Sequence, residues 1–112
     1  MRIVSRLLVI AAVFTVAAAR PALAQDVEKG KAVYAAQKCS VCHALAGAGI
    51  KNNPLDGVGK KLSAADIHAW IVTPKEMTVK TKSVKKPPMA DKYAKLPAAD
   101  IDALVAYMAS LK

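Results

Sequence analysis

The run Cys39-Ser40-Val41-Cys42-His43 constrains this chain more than any other feature, because Cys39 and Cys42 are its only two cysteines. In a C-x-x-C-H run two thiols three positions apart lie on one face of a helical turn. There they can form thioethers with the two vinyl groups of one haem, the attachment signature of a c-type haem. His43 follows directly and can turn its imidazole under the iron as an axial ligand. Three other chemistries use parts of the same pattern. A thioredoxin-like redox pair sits at a strand-to-helix turn, and the chain shows no strand-rich pattern. Four-ligand zinc needs a second ligand pair, and the only other histidine is His68. A plain disulfide remains compatible with an exported chain.

The N-terminus favours export. Arg2 and Arg6 form a short positive region, Leu7 to Ala19 is an apolar run, and Ala22-Leu23-Ala24 has the A-x-A form of a cleavage site. The apolar run is short for a membrane span. The expected organisation is a signal peptide over residues 1–24, cleaved after Ala24, and one domain over residues 25–112 with no stable membrane span after cleavage. Export to the periplasm agrees with haem, whose thioether attachment takes place outside the bacterial cytoplasm. It also disfavours nucleic acid as a partner.

The whole sequence carries a formal charge of +9. Without the three arginines, all of which lie in the leader, 14 lysines face 8 acids, a net +6. A domain of about 88 residues with one Trp, three Tyr and no Phe beyond the leader has a thin apolar core. A covalently held porphyrin would supply the missing interior.

The periodicity predicts an all-α domain. A first helix is expected over Val27 to Gln37, N-capped by Asp26, with Val27, Gly30, Val33 and Tyr34 on one face. A second is expected over Ala64 to Val72. Ser63 caps it with Asp66 three residues on, and Thr73-Pro74 ends it. A third is expected over Pro97 to Leu111, with Ile101, Leu104, Val105, Met108 and Leu111 in helical register. The stretches between them, Ala46 to Lys61 and Pro74 to Leu96, read as irregular. Loops of this length in a small domain need a scaffold.

A thioether from methionine would close the second axial position of a histidine-ligated haem and raise its potential. The candidates are Met77, Met89 and Met108, with His68 as a nitrogen alternative. Met108 lies on the apolar face of the last helix, and His68 on a short amphipathic one. Met89 is the expected ligand. It follows Lys86-Pro87-Pro88, whose two prolines stiffen the backbone into an extended form and lower the entropic cost of presenting a ligand.

With C-x-x-C-H near the start of the domain, Lys86-Pro87-Pro88-Met89 near its end and a closing Leu104-Val105-Ala106-Tyr107-Met108, the chain resembles the small class I cytochromes c of bacteria over essentially all of residues 25–112. The resemblance implies the cytochrome c fold: three main helices and long loops around one haem c, bound through Cys39 and Cys42. It implies that the first and last helices cross, with Gly30 and Tyr34 against Leu104 and Tyr107. It also implies that the carbonyl of Pro54 accepts the Nδ1–H of His43, and that the Trp70 indole reaches a haem propionate. Where many relatives cap the last helix with Ser or Thr, this chain has Leu96-Pro97.

The expected function is single-electron transfer between redox partners through a His43/Met89-ligated haem, without enzymatic turnover. Seven of the 14 lysines lie between Lys75 and Lys95, around Met89. That bias predicts partners with acidic docking surfaces. The competing readings are an open-coordination haem, as in a peroxidase or gas sensor, and an electron-transfer subunit of a larger dehydrogenase. Monomer and redox-complex subunit are both compatible with the sequence.

Overall fold

The computed structural model describes residues 22–51 and 53–112. Residues 1–21, most of the expected signal peptide, lie outside the described residues. The architecture is mostly helical, as expected. The helices in chain order are α1 (Ala22–Ala36), α2 (Val58–Lys61), α3 (Ala64–Val72), α4 (Pro74–Lys80) and α5 (Ala98–Ser110). Two 3-10 turns, Cys39–Val41 and Asp91–Lys95, and a two-residue hairpin of β1 (Ala44–Leu45) and β2 (Ala48–Gly49) complete it.

α1 and α5 form the principal crossing. Gly30 makes it possible. A β-carbon there would collide with the Ala103 carbonyl and lie 2.6 Å from Cβ of Tyr107. Four residues on, Tyr34 meets Tyr107 edge to face, with ring centroids 5.8 Å apart and planes at 80°, a favourable aromatic geometry. Lys29 and Asp100 bridge the crossing at 3.3 Å. α3 packs on α5, and the core gathers Val33, Ile67, Ile71, Ile101, Leu104, Tyr107 and Met108.

The expected first helix begins five residues too late. Asp26 lies inside α1 and not at its cap, because Ala22, Leu23, Ala24 and Gln25 are themselves good helix formers. α1 stops where Lys38 turns left-handed, φ 54°, the conformation that commonly terminates helices. The second helix has its expected bounds, and Ser63 Oγ accepts the Asp66 amide at 3.1 Å. The third runs from Ala98 to Ser110, and Pro97 provides no side-chain cap.

Two expectations of irregularity fail. α4 occupies the start of the lysine-rich stretch: Thr73 ends α3 and precedes α4, whose first residue is the buried Pro74. Proline suits that position because the missing N–H is not needed there. In the glycine-rich loop, the left-handed Gly57 starts α2. The Gly59 amide then donates to the Leu111 carbonyl at 2.8 Å, and Lys112 Nζ donates to the Gly59 carbonyl at 3.0 Å. Beyond α4, the Ser83 amide returns to the Thr78 carbonyl at 3.0 Å. The chain bends at Lys86 and Pro87, joined by a cis bond, so the proline segment is not uniformly extended.

Candidate functional site

The left-handed Lys38 throws the chain out of α1 into a tight turn. There the Cys42 and His43 amides both donate to the Cys39 carbonyl, at 3.1 and 3.0 Å. One turn therefore carries both cysteines and presents the histidine directly after them. Cys39 is half-buried and Cys42 exposed, and both are free thiols. Burial pushes the Cys39 thiol above its ordinary range, with the neighbouring Cys42 adding to the shift and the backbone amide opposing it.

The histidine is oriented from outside the motif. His43 Nδ1 lies 3.1 Å from the Asn53 carbonyl. A carbonyl only accepts, so Nδ1 carries the proton and Nε2 keeps its lone pair. Burial holds the imidazole below its ordinary range, partly offset by that hydrogen bond, and so favours the neutral, ligating form. The acceptor is Asn53 and not the expected Pro54. A parallel bridge fixes this choice: the Ala44 amide donates to the Asn53 carbonyl at 3.3 Å, and the Leu55 amide donates to the Ala44 carbonyl at 2.8 Å. Proline restricts the residue before it to extended conformations. Pro54 thereby shapes the loop while Asn53 supplies the oxygen.

These residues border a cavity of about 400 Å³ between the motif, α3, α5 and the segment after α4, within the ~300–1,000 Å³ typical of ligand pockets. Cys39, His43, Pro54, Trp70 and Met89 all line it. Cys42 does not belong to the wall. Of the other ligand candidates, Met108 also lines the cavity, Met77 is buried away from it, and His68 is exposed on α3.

Sequence reasoning missed two further residues of the site. Asn53 is one, and it acts through a backbone carbonyl that carries no side-chain signal in the sequence. Tyr34 is the other. It lines the cavity, and its hydroxyl is buried without a partner among the described residues. Burial and the neighbouring Cys39, Tyr107 and Asp56 push its phenol above the ordinary range. An unpaired buried hydroxyl costs about 1–3 kcal/mol, so a cavity occupant with polar edges suits this wall.

A flat, largely apolar macrocycle fits the donor set. Thiols stand on one turn, a neutral imidazole keeps a free nitrogen, and Met89 offers a thioether. Among the described residues no three His, Cys, Asp or Glu side chains cluster to hold a metal ion directly. The redox-pair reading lacks its setting, since the motif follows a helix and not a strand. Among the same residues no helix is long and apolar enough to cross a membrane.

The family model for cytochrome c matches residues 27–112. Comparison with curated proteins found no match, and neither did comparison with solved structures. The match begins inside α1 and extends through α5, taking in the attachment turn, the cavity and Met89. The chain belongs to the cytochrome c family of haem-based electron-transfer proteins, with haem c attached covalently at Cys39 and Cys42.

Proposed function

We propose that the chain is an exported carrier of single electrons in the periplasm, not an enzyme, with His43 and Met89 as its two axial ligands. The observation that carries this reading is that His43 and Met89, far apart in sequence, are walls of one cavity. When bound, haem iron supplies the one-electron couple.

The chain's own residues do the rest. Asn53 holds the His43 ring in one tautomer through the 3.1 Å hydrogen bond and makes it a more basic ligand. Leu55, Ile67, Ile71 and Leu104 give the cavity apolar walls, which lessens the solvent rearrangement that a change of charge there would require. Outside, Lys75, Lys80, Lys82, Lys92 and Lys95 are exposed, with Val79 and Val84 projecting at 79% and 86% exposure. Basic charge steers an acidic redox partner to this face, and the two valines give it an apolar contact.

Two measurements test the reading. The ferric protein should show the weak red sulfur-to-iron absorption band, and Met89→Ala should abolish it. The second-order rate with an acidic redox protein should fall as salt rises; a rate unchanged from low to high salt would remove the steering.

A further inference from the structure

We infer that Gly49 is a positioning residue for the axial histidine: the hairpin closes on the attachment turn so tightly that Gly49 fixes where the backbone of His43 sits. The inference rests on the reading of His43 as an iron ligand. Across the hairpin Gly49 pairs with Ala44, the residue after His43. The next residue continues the clasp, with the Ile50 amide donating to the Ser40 carbonyl at 3.3 Å. A β-carbon at Gly49 would collide with the His43 carbonyl and lie 2.9 Å from the Ser40 carbonyl. Both obstacles are backbone atoms of the attachment turn, so neither can swing aside as a side chain would.

The His43 ring is held at its other end by the Asn53 carbonyl, which also accepts the Ala44 amide. The histidine is therefore gripped twice, at its main chain by Gly49 and at its ring by Asn53. Displacing the His43 carbonyl tilts the bond that carries the ring and lengthens a hydrogen bond already at 3.1 Å. A weaker hydrogen bond to Nδ1 makes the imidazole a poorer electron donor, which favours ferrous iron and raises the midpoint potential.

The chain contains its own control. Gly47 also has positive φ, +82°, but a β-carbon there meets nothing within 4 Å. Alanine at either position strains the backbone, and only at 49 does it press on His43. The experiment compares Gly49→Ala, Gly47→Ala and unaltered holoproteins by midpoint potential, thermal midpoint and the paramagnetic proton shifts of the haem methyls. Gly49→Ala should have a raised potential and a redistributed methyl pattern. Gly47→Ala should lose stability and keep both signatures. Equal potentials and methyl patterns in the two variants would overturn the inference.

If Gly49→Ala yields no folded protein, hydrogen exchange of the unaltered holoprotein decides. The Ile50 amide and the His43 Nδ1 proton should open together, at matched rates. An Ile50 amide exchanging as a free loop beside a protected ring proton would overturn the clamp. Ligation is checked separately, from the axial-imidazole signals of the unaltered protein. Their absence would refute the ligand reading itself, whereas their presence with indistinguishable glycine variants would refute only the clamp.

Discussion

Gly30 of α1 rests directly on the backbone carbonyl of Ala103 in α5, with no room for a β-carbon between them. The obstacle is main chain in the middle of a helix, so the two helices must part to admit even a methyl group. Gly30→Ala should destabilise the protein by about 1–3 kcal/mol, the usual cost of overpacking, despite alanine's better helix propensity. Guanidinium denaturation of the holoprotein measures this. A gain in stability would show that the crossing can relax.

Replacement of Met89 should separate it from the other methionines. Met89→Ala should lose the red band, lower the midpoint potential and admit carbon monoxide to the reduced protein quickly. Met77→Leu, at a buried position away from the cavity, should retain all three wild-type properties, at a stability cost below about 1.5 kcal/mol. Persistence of the band in Met89→Ala would transfer the ligand role to another side chain, with Met108 first in line as the other methionine of the wall.

Acid should act on His43 in a definite direction. Burial lowers its pKa in the folded state, and iron ligation at Nε2, as proposed, would lower it further, so the unfolded chain binds a proton at a higher pH than the folded one does. The stability contributed by the neutral ring is complete above the unfolded value of about 6.5. It is lost as pH falls through that value toward the depressed folded one. Denaturation midpoints measured from pH 8 down to pH 4 should decline in this window, in step with changes in the haem absorption bands. A stability that rises toward acid across this range would contradict the assignment.

Charge reversal should test the basic face without disturbing the core. Lys80→Glu with Lys82→Glu, both at exposed positions, should slow association with an acidic redox protein about tenfold or more at low salt. The difference should shrink once the Debye length falls to about 3 Å at 1 M salt. Midpoint potential and thermal stability should barely move. An undiminished low-salt rate would place docking elsewhere on the surface.

Loss of covalent attachment should undo the fold. Cys39→Ala with Cys42→Ala leaves the cavity of about 400 Å³ without a tethered occupant, in a domain whose buried core is chiefly the seven residues around α1, α3 and α5. Far-ultraviolet circular dichroism should show most helical signal lost, and melting should lose its cooperativity. Retention of a sharp transition would mean that the protein core suffices alone.

Local signals were legible in the sequence wherever a single residue settles the local geometry. Ser63 and Asp66 announce α3, and Thr73-Pro74 its end. The same dipeptide also begins α4, because a proline that stops one helix is well placed to open another. Reading it only as a stop hid that element. The start of α1 was missed because its first residues also belong to the expected leader. The attachment turn, Trp70 and Met89 could be named as candidates, since each carries its own chemistry. Asn53 could not, because it acts through a backbone carbonyl that every residue possesses. Tyr34 was visible as a packing residue, while its unpartnered hydroxyl depends on which atoms the fold leaves beside it.

Between Thr78 and Val84 one stretch of chain borders both the cavity and the solvent. Thr78, Thr81 and Ser83 face the cavity, and Val79 and Val84 project into solvent. To cross such a partition water needs an open passage, while an electron needs only proximity. If a partner docks against the valines, as proposed, this short stretch is all that lies between it and the cavity, so charge could pass without any gate having to open.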